Sequence, residues 1–115
     1  CVVDCGLVVN PNGAMAMAEG ALLYGLSIAV KGGGTLKGGR IAERNFDTYP
    51  VLRMSEVPEM EIEFVQSTQP ATGMGESTMG SIAPALANAV YAACGARVRK
   101  LPMTPDRVLS AINSR

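Results

Sequence analysis

"PNGAMAMAEGALLYGLSIAV" occupies residues 11–30 and decides the architecture. Asn10, just before it, is a good helix N-cap, and Pro11 suits the first helical position, where an N–H would go unused. The spacing predicts one helix over 11–30, with Ala14, Met15, Ala18, Ala21, Leu22, Gly25, Leu26 and Ala29 on its apolar face. So many small side chains on one face let another backbone approach closely. Glu19, Gly20 and Gly25 interrupt the run, which is expected to fall short of a membrane span.

Upstream, Val2 and Val3 of "CVVDCG" (residues 1–6) read as the end of a short buried strand. The chain opens without an initiator Met, as if inside a strand, and is expected to be a piece of a longer polypeptide. Any targeting signal would lie upstream, so the compartment is unknown from these residues.

Downstream, "KGGGTLKGGR" (31–40) predicts a hairpin between two short strands. Residues 45–58 carry two prolines and no clean period, and read as an extended connector. In "EMEIEFVQS" (59–67), Met60, Ile62 and Phe64 alternate with Glu59, Glu61 and Glu63, the pattern of a half-buried strand. A second helix is expected over 81–94, capped by Ser81, carrying Pro84 in its first turn and stopped by Gly95. "RVRKL" (97–101) suggests a short basic strand with a solvated face of Arg97, Arg99 and Lys100. "TPDRVLSAI" (104–112) repeats the cap-then-proline signature of a last helix. The class is α+β: two main helices and a short C-terminal helix on a small mixed sheet, residues 1–115 forming a single domain or fragment.

Composition narrows the functions. Hydrophobic residues are 48% and charged residues 17%, apolar enough that some surface is expected to be covered by another chain or by more of the same chain. Zero formal net charge gives no reason to expect nucleic acid or an acidic membrane face. There is no histidine, and Cys1, Cys5 and Cys94 form no C-x-x-C pair, which argues against zinc, an iron–sulfur cluster or a disulfide framework in this chain. The seven methionines read as packing material.

The stretch that composition does not explain is "TGMGESTMGS" (72–81). Glu76 is its one charge, flanked by glycines and hydroxyl residues; the next charges along the chain are Glu63 and Arg97. Gly73, Gly75 and Gly80 are expected to give the backbone freedom for positive φ and close approach to a ligand. An acid with no local cation, set before a helix N-terminus and desolvated, suits general-base work. The same pattern equally describes a solvated turn whose acid caps the helix.

Taken together, "VVDCGLVVNPNGAMAMAEGALLYGL" (2–26) and "TGMGESTMGSIAPALANAVYAACG" (72–95) resemble the C-terminal end of the molybdopterin-binding large subunit of molybdenum hydroxylases. That family includes xanthine dehydrogenase, aldehyde oxidoreductase and isoquinoline 1-oxidoreductase. "NFDTYPVLRMSEVP" (45–58) and "RVRKLPMTPDRVL" (97–109) make the isoquinoline 1-oxidoreductase branch the nearest, and the likeness runs in order through nearly the whole chain. It implies that Glu76 is the catalytic base beside a molybdenum–molybdopterin cofactor. It also implies hydroxylation of an N-heterocycle or aldehyde with water-derived oxygen, electrons leaving through iron–sulfur clusters on a partner subunit. Gly75, Ser77 and Met17 match positions next to the cofactor, and the metal is held by the pterin with no side-chain ligand. Glu19 matches a family E-G-A and is expected to be a buried, hydrogen-bonded structural acid.

Two departures bear on this. Met17 stands where the family has a Gln that contacts the pterin, and a thioether donates no hydrogen bond. The prolines that usually follow the Glu are replaced by Ser77, Thr78, Met79, Gly80 and Ser81, which is expected to loosen the loop. They support a second reading, a non-catalytic assembly or interaction domain that kept the fold and lost the cofactor. In either case the remaining cofactor loops lie outside these residues, and the rest of the large subunit is the expected partner.

Overall fold

The capping signals set the first helix where they predict it. The computed structural model describes residues 1–114. Its elements in chain order are β1 (Val2–Val3), α1 (Pro11–Val30), β2 (Leu36–Lys37), β3 (Arg40–Ile41), a 3-10 turn (Met54–Glu56), β4 (Glu63–Phe64), α2 (Met79–Cys94) and α3 (Pro105–Asn113). Asn10 is extended, and its Oδ1 accepts from the Gly13 N–H at 3.0 Å. Thr104 does the same for α3, accepting from the Arg107 N–H. The class is α+β as expected, and the mixed pairing comes as two separate ladders. β1 runs parallel to β4, pairing Val2 with Glu63 and Val3 with Phe64, while β2 and β3 form the antiparallel hairpin.

The parallel ladder brings the two ends of the site together. Beyond its paired residues, Leu7 donates to the Gln69 carbonyl and Thr72 to the Cys5 carbonyl, both at 2.9 Å, so 69–72 folds back across 5–7. Gly6 makes that approach possible. Its φ is +72°, and a Cβ there would stand 2.2 Å from the Pro70 carbonyl oxygen.

Three sequence expectations are corrected. The strand expected over 59–67 shrinks to Glu63–Phe64, although Met60, Ile62 and Phe64 are half-buried and the three glutamates exposed, as the alternation requires. The basic strand at 97–101 does not form. Val98 is buried between exposed Arg97 and Arg99, but no described strand runs beside it; Met103 instead donates to the Ala29 carbonyl at 2.6 Å, laying the segment across the end of α1. The second helix begins at Met79, and Ser81 does not cap it. Its hydroxyl donates to the Thr78 carbonyl at 2.7 Å. The earlier start moves Pro84 into the second turn, where the carbonyl left without its helical partner belongs to exposed Gly80.

The core lies between α1, α2 and the last segment. Ala29, Val98 and Met103 are buried against Ile82, Leu86 and Val90 of α2 and Val108 of α3. Ala18, Ala21, Leu22 and Gly25 complete the buried side of α1. That helix is long and apolar enough, by length and composition alone, to cross a membrane, which corrects the expectation that it falls short; here it packs along α2. The surface keeps Val9, Phe46 and Met54 at 79%, 78% and 88% exposure, so the apolar excess of the composition is not buried within this chain.

The connector over 45–58 is tied to α1 by polar links. Leu52 donates its N–H to the buried Ser27 hydroxyl at 3.1 Å. Lys31 Nζ meets both carboxylate oxygens of Glu56 at 2.6 and 2.5 Å, and the Arg53 N–H donates to the same carboxylate. The Lys31 ammonium, first, and the Arg53 N–H hold the Glu56 carboxyl below its ordinary value. A lowered folded-state value stabilises the fold above the ordinary carboxylate range and ceases to do so as the pH falls through the lowered value. Denaturation midpoints of the native protein and of Lys31→Met should therefore differ at neutral pH and converge in acid. The neutral-pH difference should shrink in high salt, because both groups are in solvent reach.

Candidate active site

Two close contacts between α1 and the loop before α2 build the site. Thr72 enters fastened to the Cys5 carbonyl through both its N–H and its hydroxyl, at 2.9 and 3.2 Å. Residues 75–78 then turn, closed by the Met79 N–H donating to the Glu76 carbonyl at 3.1 Å. The first contact is at Gly25 of α1. A Cβ there would lie 2.4 Å from the Met79 carbonyl oxygen, so the start of α2 rests directly on the α1 backbone. The second is at Gly75, where a Cβ would stand 2.8 Å from the terminal methyl of Met17.

These contacts place Glu76 on the wall of a cleft of about 420 Å³, lined also by Ala16, Met17, Gly20, Ala21, Tyr24, Gly75 and Met79. Glu76, Gly75 and Met17, singled out separately in the sequence, meet here. Ser77 is outside this lining, exposed, and its hydroxyl donates to the Met74 carbonyl at 3.3 Å. No lysine or arginine lines the cleft, and the ion pair among the described residues joins Lys31 to Glu56. Glu76 thus keeps its isolation from cations in space as well as in sequence.

Other expectations change. Glu76 is exposed, so the desolvation expected around the base is not supplied by this chain. Gly73, Gly75 and Gly80 do not adopt positive φ; what Gly75 provides is room beside Met17. Glu19 is exposed and not the buried structural acid expected. The site also gains Tyr24 and Met79. Tyr24 lies seven residues after Met17 and four after Gly20, on one helical face, so the period alone would have placed it there once Met17 was suspected.

The lining fits part of what a pterin cofactor needs. It offers a shallow wall of glycine, alanine, thioether and phenol for a flat ring, with an acid at its edge. It offers no cation for a phosphate, and Met17 gives packing where an amide would give hydrogen bonds. Among the described residues no group of three His, Cys, Asp or Glu side chains is placed to hold a metal ion. A larger cleft of about 650 Å³ lies between α3 and the end of α1, but its one acid, Glu56, is already paired with Lys31.

No protein-family model matches the chain. Individual proteins do. It is 41% identical over 113 residues to a membrane-bound aldehyde dehydrogenase (pyrroloquinoline-quinone) of Gluconacetobacter polyoxogenes, covering 98% of this chain and 15% of that protein. It is 37% identical over 105 residues to the isoquinoline 1-oxidoreductase subunit beta of Brevundimonas diminuta, covering 91% and 13%. It is 30% identical to an aldehyde oxidoreductase molybdenum-binding subunit of Escherichia coli, covering 96% and 16%. The fold superposes on quinoline 2-oxidoreductase from Pseudomonas putida 86 with a TM-score of 0.86 at 24% identity, over 99% of this chain and 16% of that one.

Along nearly its whole length the chain is homologous to a segment of the large subunits of molybdenum-containing aldehyde, isoquinoline and xanthine dehydrogenases. It spans about a seventh of the length of the relatives it matches.

The two glycine contacts should respond differently to an added methyl group. Gly25→Ala meets backbone and should lower stability by about 1–3 kcal/mol, even against the gain in helix propensity. Gly75→Ala meets only the mobile end of Met17 and should cost less than about 1 kcal/mol. Denaturant midpoints of the two variants measure the contrast.

Proposed function

We propose that this chain is the base-bearing segment of a molybdenum-dependent oxidoreductase that hydroxylates an N-heterocycle or an aldehyde with oxygen from water. The observation that carries the reading is an acid without a cationic neighbour on the wall of a cleft, Glu76, in a chain homologous to molybdenum-binding subunits. The cofactor, when bound, supplies the two-electron redox chemistry. This chain supplies a proton acceptor: a Glu76 carboxylate oxygen takes the proton of the oxygen nucleophile. Gly75 and Met17, which line the cleft, are the residues it offers to the cofactor, Met17 by packing alone; Ser77 stands outside that lining. The rest of the polypeptide, as a C-terminal segment requires, provides the phosphate site and the cover that desolvates Glu76. Iron–sulfur clusters on a partner subunit receive the electrons.

The second reading, an assembly domain without cofactor, is favoured by one observation: Met17 lies against Gly75, at a position where the resemblance implies an amide. The relative named for pyrroloquinoline quinone adds a different cofactor to the choice. Elemental analysis of the full-length protein with its partners, and extraction of pterin and quinone, decide among the three. Stoichiometric molybdenum and pterin are expected; quinone alone, or neither, contradicts the proposal. In the loaded enzyme Glu76→Gln should lower kcat by about 10²–10⁴-fold while molybdenum content stays the same.

A further inference from the structure

We propose that Thr78 is the positioning residue of Glu76, acting through the volume it buries and not through its hydroxyl; this rests on the reading of Glu76 as the base. Thr78 is 5% exposed and is the only buried residue between Gly32 and Ala96. Glu76, Ser77, Gly80 and Ser81 on either side of it are all exposed. It is therefore the most deeply buried side chain of the loop that carries the acid, two residues from it.

The links from that point to Glu76 are short. The Thr78 carbonyl accepts from both the N–H and the hydroxyl of Ser81, at 3.3 and 2.7 Å, which fixes the first turn of α2. The next residue, Met79, donates its N–H to the Glu76 carbonyl and seats its own carbonyl against Gly25. Releasing Thr78 would release the turn that holds Glu76 in the cleft wall with Met17 and Tyr24.

The hydroxyl has no part in this. Thr78 occupies the N-cap position of α2, where a threonine ordinarily accepts from a helical N–H. Here its backbone is helical (φ −81°, ψ −23°), its side chain makes no capping bond, and Oγ1 is buried without a hydrogen-bond partner. A buried hydroxyl left unpaired is unfavourable, whereas an apolar group of the same shape is not.

The test uses the full-length enzyme and four variants, reading kcat, KM and the hydrogen exchange of the Met79 amide. Thr78→Ala should lower kcat by about 10–100-fold with KM changed less than about twofold, because a displaced base costs rate and not binding. The Met79 amide should exchange about tenfold faster, since its bond to Glu76 is loosened. Thr78→Val should restore both to near the native values. In a Glu76→Gln background, Thr78→Ala should lower kcat no further.

A valine variant as damaged as the alanine one overturns the proposal and gives the role to the hydroxyl. An alanine variant with native rate and exchange overturns it as well. If Glu76→Gln alone keeps the native rate, the base reading fails; the exchange of the Met79 amide still decides whether Thr78 anchors the turn.

Discussion

The candidate site depends on one close approach, the Met79 carbonyl resting on α1 at Gly25. A methyl group at residue 25 would stand 2.4 Å from that oxygen, so glycine alone permits the contact. It sets how α2 begins, and α2 begins immediately after the turn that carries Glu76. Ala18, Ala21 and Ala29 of α1 are buried as well, and Ala29 packs with Ile82, Leu86 and Val90 of α2. A second glycine, Gly6, lets residues 69–72 fold back across 5–7 just before the loop. The acid is thus placed by backbone approach at both ends of its loop.

The electrostatics follow from what was left out. Ten acids and ten bases are distributed over the sequence, yet none falls between Glu63 and Arg97 except Glu76. Arg97, the next cation along the chain, lies over the Tyr91 ring at 3.6 Å and donates to Asn88. Lys31 is occupied by Glu56. A carboxylate kept free of cations can take up and release a proton, whereas one in an ion pair resists protonation. Glu76 is exposed, as are Met17 and Tyr24 beside it in the cleft and Met54 beyond Tyr24, an apolar surface with an acid on it.

How much of this could be read from residues alone varies with the physics behind each element. The bounds of α1 and the start of α3 were legible because they are set locally, by Asn10 with Pro11 and by Thr104 with Pro105. The start of α2 was not, because no cap fixes it; a contact with a residue more than fifty positions earlier does. The expected strand at 97–101 had the right alternation but lacked a neighbour to pair with, and pairing is not a property of the segment itself. In the site, Glu76 was legible as the only charge in its stretch. Thr78 was not, being one hydroxyl among several in a loop, and nothing in the sequence distinguishes a buried threonine from an exposed one there.

The most direct measurement is anomalous scattering at the molybdenum edge from crystals of the full-length enzyme. The account predicts a molybdenum peak bordering the cleft formed by Glu76, Gly75, Met17 and Tyr24, with the carboxylate facing it and no lysine or arginine in between. A peak elsewhere with Glu76 turned to bulk solvent, or a fully folded enzyme with no molybdenum peak, would contradict it.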